Sequence, residues 1–330
     1  MNFAFIADEI TTFIKDHDST WTLMLAAKKL GNKVFYAHAS SLSFKDNQAC
    51  AQFIELDDEF FSFQESNNAK LVKFPVIPLD ENPSPSKYPC KEINLDDFKI
   101  IFMRKDPPVD AAYSFQTQIL SLCKKALVVN NPASILINNE KLSILNFPDL
   151  IVETIVTQDA SEIKDFVSKN KKAVLKPLDG KGGEGIFVLE EDDKNLNSII
   201  ETSLANNQTP LMLQKYIPDI SSQGDKRLIL ANGKCIGAVL RVPNKKDNRG
   251  NLAAGASFEK YSPSKRDLEI VEKISSFLIE NKIYFAGIDI IGDYLTEINI
   301  TSPTCLQEIN RLEAHSFNDS LEVKILQSLI

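Results

Sequence analysis

The N-terminal segment carries the pattern that most constrains the fold, since two short apolar stretches flank an amphipathic helical stretch. The sequences NFAFIAD and KVFYAH each predict a buried strand. The residues from Trp21 to Leu30 predict a helix that ends at Gly31 and is begun by Asp18, Ser19 or Thr20. A strand, a helix and a strand in this order are typical of a β-α-β unit with parallel strands.

The same alternation continues further along the chain. Lys99 to Met103 and Leu127 to Asn130 predict buried strands, and they flank a helix predicted from about Ala111 to Lys124. We therefore predict a doubly wound, mostly parallel sheet in the N-terminal part. Between these elements, prolines crowd the span from 75 to 90, which excludes a central strand and favours a surface excursion.

The pattern changes after about Asn131, where shorter helices and strands predict a small α+β lobe. The strands Lys172 to Pro177 and Gly185 to Leu189 are joined by a glycine-rich loop, and a helix from Leu196 to Leu204 follows. Further strands are predicted at Leu211 to Tyr216, Arg227 to Ala231 and Cys235 to Arg241, followed by a helix from Lys265 to Glu280 and a final hairpin. With 330 residues the chain is long enough for two or three lobes with a cleft between them.

Composition excludes several classes of protein. The formal net charge of -8 and the lack of long basic runs argue against nucleic acid or an anionic membrane as the main partner. Neither a run of about 18 apolar residues nor a basic N-terminal region is present, so we expect a cytoplasmic protein. The 5 cysteines and 3 histidines have no zinc or disulfide spacing, and only His17, beside Asp18, invites a functional interpretation.

The sequence KPLDGKGGEGIFVL places Gly180, Gly182, Gly183 and Gly185 between two strands. Glycines there let backbone N–H groups approach phosphate oxygens, although a plain hairpin turn has the same composition. The loop lacks the ending of a Walker A motif and the helix of a dinucleotide fingerprint. Lys176 ends a buried strand and needs an anionic partner, which favours a nucleotide phosphate.

The C-terminal run FAGIDIIGDYLTEINITSPT holds three oxygen-donor side chains, those of Asp289, Glu297 and Asn299, within apolar strands. Glu297 and Asn299 lie on one face of a strand, about 6 to 7 Å apart, which suits Mg²⁺. A two-residue turn at Gly292 would point Asp289 away from them, and a three-residue turn would pair it with Glu297. We expect the longer turn; the alternative is an edge hairpin whose polar residues face water.

Arginines stand at several places where an anion could bind. Arg104 follows a strand end, where open α/β sheets bind ligands. Arg227, Arg241 and Arg249 lie near or within the long polar loop from Val242 to Ser257, which is typical of either a disordered segment or a functional lid. We expect them to gather round an anionic substrate, although a single arginine is more often part of a surface ion pair.

The chain resembles the bacterial type of glutathione synthetase, within the ATP-grasp superfamily, over nearly its whole length. The resemblance is carried by seven segments, MRKDPP, NEKL, LKPLDGKGGEGIF, QKYIP, GDKRLIL, RGNLAAG and GIDIIGDYLTEINITSPTC. It implies an ATP-grasp fold with an N-terminal Rossmann-like domain (1–125), a central lid lobe (126–205) and a C-terminal lobe (206–330). It also implies the ligation of γ-glutamylcysteine and glycine through an acyl phosphate, with ATP and Mg²⁺, or Mn²⁺, in a homodimer or homotetramer.

The resemblance also implies roles for individual residues. Nucleotide binding would fall to Lys141, Lys176, Gly180, Gly182, Gly183, Gly185, Gln214, Lys215, Tyr216, Ile217 and Asp225. Metal binding would fall to Asp289, Glu297 and Asn299, and catalysis to Lys176, Arg227, Arg241 and Arg249. The substrate residues would be Ser19, Arg104, Arg241, Asn251, Ser302 and Thr304.

Two departures and two alternatives belong with this resemblance. Ala256 stands where the family pattern tends to show glycine, and the proline-rich span is longer than usual. Another ATP-grasp ligase, of the D-alanine-D-alanine or glutamate-adding type, would keep the ATP and metal residues, but RGNLAAG and TSPT disfavour it. A nucleotide-binding regulator without catalysis would lack one of Lys176, Glu297, Asn299 or Arg249, and all are present.

Overall fold

The computed structural model describes residues 1–74, 88–180, 182–206, 210–243 and 257–330. Within them the chain forms three sheets with helices packed on their faces. Residues 244–256 of the predicted lid loop, with Arg249, Asn251 and Ala256, lie outside the described residues, as does most of the proline-rich span.

The N-terminal sheet has a parallel centre, as the sequence predicts. Its seven strands are β1 (Asn2–Ala7), β2 (Lys33–His38), β3 (Ser43–Lys45), β4 (Gln48–Leu56), β5 (Lys91–Asn94), β6 (Ile100–Met103) and β7 (Leu127–Val129). Strands β2, β1, β6 and β7 run parallel, in that order. Strand β4 adds to β2 in the antiparallel direction and pairs with β3 and β5, an extension that we did not predict.

The helices of this part are α1 (Ser19–Lys29), α2 (Asp58–Ser66), α3 (Ala111–Leu120) and α4 (Pro132–Ile137). The side chain of Asp18 caps α1 by accepting a hydrogen bond from the backbone N–H of Trp21. This cap fixes the loop that precedes α1, which matters for the site below.

The central sheet is antiparallel, in the order β10, β9, β11, β8. Its elements are β8 (Thr154–Thr157), α5 (Ala160–Asn170), β9 (Lys172–Pro177), β10 (Phe187–Glu190), α6 (Leu196–Asn206) and β11 (Leu211–Lys215). Strand β9 has the predicted bounds. Strand β11 belongs to this sheet although it lies after the lobe boundary predicted at 205, and β7 likewise lies after the boundary at 125; the division into lobes stays a prediction.

The C-terminal sheet is also antiparallel, in the order β14, β13, β12, β15, β16. The elements of this part are α7 (Asp219–Gln223), β12 (Asp225–Ala231), β13 (Lys234–Val242), β14 (Ser257–Lys260), α8 (Lys265–Glu280), β15 (Phe285–Ile291), β16 (Tyr294–Asn299), α9 (Leu306–Glu313) and α10 (Leu321–Ser328). Helix α8 packs Ile270, Ile274 and Leu278 on one face of the sheet.

One hydrophobic core joins the N-terminal and C-terminal sheets. Phe5 of β1 and Val239 of β13 belong to the same cluster of buried residues, together with Leu306 of α9 and Ile325 of α10. Burial of this apolar surface stabilises the contact between the two sheets. It also brings the loop before α1 against the segment that leads into α9.

Candidate active site

A cavity of about 1170 Å³ is lined by residues of the central and C-terminal sheets and by loop residues of the N-terminal part, His17, Asp106 and Pro107. Eighteen of the site residues named above line it, and they are Lys141, Lys176, Gly180, Gly182, Gly183, Gly185, Gln214, Lys215, Tyr216, Ile217, Asp225, Arg227, Arg241, Asp289, Glu297, Asn299, Ser302 and Thr304. A cavity of this size accommodates a nucleotide and a peptide side by side.

The glycine-rich loop forms one wall of the cavity beside two lysines. Gly182, Gly183 and Gly185 have positive φ angles, so the loop takes turns that other residues rarely adopt. Lys141 Nζ donates a hydrogen bond to the Gly180 carbonyl at 2.7 Å, and Lys176 Nζ donates to Gln214 Oε1 at 2.6 Å. Burial lowers the pKa of Lys176, while the nearby Glu297 opposes that shift. The two cations and the open backbone of the loop suit phosphate oxygens.

Another part of the cavity lining combines apolar and polar side chains in a way that suits a planar base. Val174 of β9, Val188 of β10 and Ile217 after β11 supply apolar surface, and Gln214 and Tyr216 supply polar groups. Lys172 Nζ lies 4.4 Å from the centroid of the Tyr216 ring, which holds that ring in place. Apolar walls with a few polar groups at the edge are typical of an adenine site.

The β15–β16 hairpin brings the three predicted metal-binding side chains onto one face, but not by the turn that we expected. Ile291 pairs with Tyr294, so the turn at Gly292 has two residues rather than three. A β-bulge between Asp289 and Ile290 shifts the register and pairs Asp289 with Glu297. Gly292 suits this turn because its φ is +56°, a backbone conformation that other residues rarely adopt.

Glu297 and Asn299 keep open oxygen atoms toward the cavity. Glu297 Oε1 lies 3.3 Å from Lys141 Nζ, and its Oε2 makes no hydrogen bond to a described residue. Asn299 donates its amide hydrogens to the Gly287 carbonyl at 3.2 Å and to Asp289 Oδ2 at 3.4 Å, which leaves its Oδ1 open. Such oxygens fit a hard divalent cation. In the described part of the chain, no three His, Cys, Asp or Glu side chains cluster as a metal site.

Asp289 is held by two arginines at the centre of a buried charge cluster. Arg227 binds both of its carboxylate oxygens, with Nη2 to Oδ2 at 2.8 Å, and Arg241 Nη2 lies 2.9 Å from Oδ2. Burial alone would raise the pKa of Asp289, but Arg227 and Arg241 hold it well below its usual range. Arg241 also bonds Asp225, whose pKa burial raises to about 7. Arg227 and Arg241 therefore line the cavity with their guanidinium groups already in ion pairs with Asp289 and Asp225.

Ser302 and Thr304 lie on the wall where the N-terminal part meets the segment before α9. Ser302 Oγ donates to Asp106 Oδ1 at 2.6 Å. Two other predicted substrate residues, Ser19 and Arg104, are 1% and 4% exposed and do not line the cavity. Arg104 instead donates to Thr20 Oγ1 at 3.1 Å and to the Pro303 carbonyl at 2.9 Å, so it supports the wall from behind.

Sequence reasoning missed Glu140, which lines the cavity beside Lys141. Its Oε1 accepts hydrogen bonds from the backbone N–H groups of Ile300 and Thr301, at 2.7 and 2.9 Å, and from Thr301 Oγ1 at 2.9 Å. Burial and the neighbouring Glu297 raise its pKa. Its position in NEKL, next to a predicted phosphate lysine, was the only signal, and nothing local pointed to Thr301.

Family models divide the chain into two matched segments. Residues 1–135 match the N-terminal domain of prokaryotic glutathione synthetase, and residues 140–314 match its ATP-grasp domain. The chain belongs to the prokaryotic glutathione synthetase family. Family members named glutathione synthetase include proteins of Synechococcus elongatus, 39% identical over 100% of this chain and 99% of that protein, and Vibrio parahaemolyticus, 35% identical over 98% and 96%.

Solved structures related to this glutathione synthetase family member share its fold at low identity. D-cycloserine synthetase DcsG superposes with a TM-score of 0.66 at 11% identity, covering 100% of this chain and 98% of that one. An ATP-grasp RimK domain protein of Sphaerobacter thermophilus gives 0.61 at 14%, covering 99% of each chain. The architecture is therefore the ATP-grasp fold, as predicted.

No helix in the described residues is long and apolar enough to cross a membrane.

Proposed function

We propose that this chain ligates γ-glutamylcysteine to glycine with the hydrolysis of ATP, which yields glutathione, ADP and phosphate. The supporting observation is that one cavity combines a glycine-rich loop with two lysines, a hairpin with open oxygen donors and a pair of held arginines, in a chain of this family. Positioning and charge neutralisation are the main requirements of phosphoryl transfer, and the cavity offers both.

The reaction needs no nucleophile from the protein. An oxygen of the cysteinyl carboxylate forms a bond to the γ-phosphorus, and the bond from that phosphorus to the β,γ-bridging oxygen breaks, so ADP leaves. The free amine of glycine then forms a bond to the acyl carbon and gives up a proton, and the carbon–oxygen bond to phosphate breaks. Phosphate leaves with the electron pair.

In this proposal the residues divide the work by position. Lys141 and Lys176 hold phosphate oxygens under the loop from Gly180 to Gly185. Arg227 and Arg241, oriented by Asp289 and Asp225, keep positive charge beside the reacting acyl group. A divalent cation, Mg²⁺ or Mn²⁺, bound by Glu297 and Asn299, would neutralise negative charge on the phosphates. Asp289 as a third ligand stays a prediction, since arginines already bind both of its oxygens.

The catalytic role of Arg249 and the substrate role of Asn251 remain predictions, since both residues lie outside the described part of the chain. The substrate roles of Ser19 and Arg104 also remain predictions, and both side chains are buried and do not line the cavity. We also propose that the chain acts in the cytoplasm on small molecules, and its assembly as a homodimer or homotetramer stays a prediction from the resemblance.

A panel of substrates tests this function. Purified protein with ATP and Mg²⁺ should release phosphate only when γ-glutamylcysteine and glycine are both present, and D-alanine or glutamate should not replace glycine. Release with D-alanine pairs or with glutamate acceptors, but not with glycine, would instead assign the chain to another type of ATP-grasp ligase.

A further inference from the structure

A carboxylate–imidazole pair lines the cavity where the N-terminal part meets α9. His17 lies in the loop before α1, and Glu308 lies in the first turn of α9. His17 Nδ1 and Glu308 Oε1 are 2.8 Å apart, and both residues line the same cavity as the proposed ATP and metal residues. None of the roles proposed above uses this pair.

Glu308 has a buried oxygen without a partner. Its side chain is 5% exposed, and its Oε1 also lies 3.4 Å from Arg311 Nη2. Its Oε2 is closed to solvent and has no hydrogen-bond partner among the described residues. A buried carboxylate oxygen without a donor is unfavourable, so the arrangement favours a ligand that supplies an N–H group.

His17 offers the complementary group. Its side chain is 37% exposed, and Nδ1 is occupied by Glu308. A carboxylate on one ring nitrogen fixes the orientation of the imidazole. In the imidazolium form both ring nitrogens donate, Nδ1 to Glu308 and Nε2 to a ligand. Nε2 makes no hydrogen bond to a described residue. The pair therefore presents one acceptor for a cation and one donor for an anion.

We propose that His17 and Glu308 bind the α-amino-acid head of the γ-glutamyl unit, with Glu308 accepting from the α-ammonium group and His17 Nε2 donating to the α-carboxylate. This inference rests on the proposed function. It names the part of γ-glutamylcysteine by which the protein recognises this substrate. Glycine does not fit this site, because an ammonium group held by a buried carboxylate cannot attack an acyl phosphate. ATP carries no ammonium group.

The test uses two dipeptide analogues that each lack one head group. Glutaryl-cysteine keeps the carboxylate and lacks the amine, whereas 4-aminobutyryl-cysteine keeps the amine and lacks the carboxylate. Glu308→Gln should raise KM for γ-glutamylcysteine by about tenfold or more, the loss expected for one charge-assisted hydrogen bond. It should raise KM for glutaryl-cysteine by a clearly smaller factor, because that analogue loses only the effect of Glu308 on His17. His17→Ala should raise KM for γ-glutamylcysteine but not for 4-aminobutyryl-cysteine.

The chain offers a matched control on the same helix. Glu313 Oε2 lies 2.8 Å from His315 Nε2, and neither residue lines the cavity. Glu313→Gln should leave KM for every substrate unchanged, and KM for ATP and glycine should stay constant in all three variants. These readouts separate head-group binding from a general loss of structure.

Each other outcome overturns the assignment in a distinct way. An equal rise in KM for γ-glutamylcysteine and for glutaryl-cysteine in Glu308→Gln would mean that Glu308 has a structural role. A rise in KM for glycine alone would mean that the pair binds the acceptor instead. Unchanged KM values in both variants would remove the pair from substrate binding. Wild-type protein that is inactive with γ-glutamylcysteine and glycine would refute the proposed function itself, which the variants alone cannot do.

Discussion

Individual side chains in the cavity differ in how much of their bonding capacity the protein itself uses. Asp289 is bound on both oxygens by Arg227 and receives Arg241 as well. Glu297 makes an ion pair with Lys141, at 3.3 Å, and with no other described residue, and its side chain is 24% exposed. A residue with spare oxygens on a cavity wall is available for a metal, whereas a fully paired one mainly orders its neighbours.

Glu297→Gln should therefore lower kcat/KM by about 100-fold or more, since a metal-bound carboxylate supplies several kcal/mol of charge stabilisation. The melting temperature should stay within a few degrees, because few contacts are lost. Steady-state kinetics and thermal unfolding check both points. Asp293→Asn, on the exposed turn of the same hairpin, is the control, and near-normal turnover of Glu297→Gln at ordinary Mg²⁺ would contradict the role.

Local signals in the sequence were enough for some of these residues and not for others. Lys176 was predicted because a charge at the end of an apolar strand needs a partner, and that strand has the predicted bounds. Glu140 was missed because its partner Ile300 lies 160 residues away. Glu308 was missed for the same reason, since its partner His17 lies 291 residues away in the sequence. Contacts of that kind follow from tertiary packing, which no local pattern encodes.

At the scale of elements, α8 is the clearest success of the sequence, since it spans the predicted Lys265–Glu280. Its apolar residues recur every three or four positions, and Ser264 caps its N-terminus; both are local signals. The hairpin was harder. Its strands were predicted, but the bulge between Asp289 and Ile290 that sets their register was not. Strands β3, β4 and β5 were missed. Strand β4 pairs with β2, and β3 and β5 pair with β4, so each needs a strand edge that only the folded sheet provides.

The start of α8 also yields a stability prediction. Asp267 is fully buried and lies 2.6 Å from Lys226 Nζ, which also donates to the Gly292 carbonyl at the hairpin turn. Asp267→Asn should lower the free energy of unfolding by about 3 kcal/mol, because a buried lysine loses its counter-charge. Denaturant unfolding measures the change. Glu269→Gln, in an exposed pair with Lys265, should change it by less than about 1 kcal/mol.

The difference in the free energy of unfolding between wild type and Asp267→Asn should change with pH in one direction. Burial would raise the pKa of Asp267, but hydrogen bonds from Lys226, Tyr261 and Ser264 lower it overall. A lowered folded-state pKa stabilises the protein above the unfolded pKa of about 3.9 and ceases to do so as the pH falls through the folded value. The gap between wild type and Asp267→Asn should therefore narrow below about pH 4. A gap that widens in acid would contradict the ion pair.

At the scale of the whole molecule, the site depends on three sheets being held together. The central sheet supplies the glycine loop, the C-terminal sheet supplies the hairpin and arginines, and the N-terminal part supplies His17 and Asp106. The residue pattern predicted the parallel N-terminal sheet, and the resemblance to a known family implied the ATP-grasp fold. The shared core of Phe5, Val239 and Leu306 that aligns these parts could not be predicted, because burial at such distances follows from the assembled fold.

The central claim is that one cavity activates the dipeptide carboxylate as an acyl phosphate and passes it to glycine. The most direct measurement uses γ-glutamylcysteine labelled with oxygen-18 in its cysteinyl carboxylate, with ATP, Mg²⁺ and glycine, followed by mass spectrometry of the products. We predict one tripeptide formed per ADP, with one oxygen-18 atom transferred to each phosphate released. Unlabelled phosphate, or ADP formed without the tripeptide, would contradict the account.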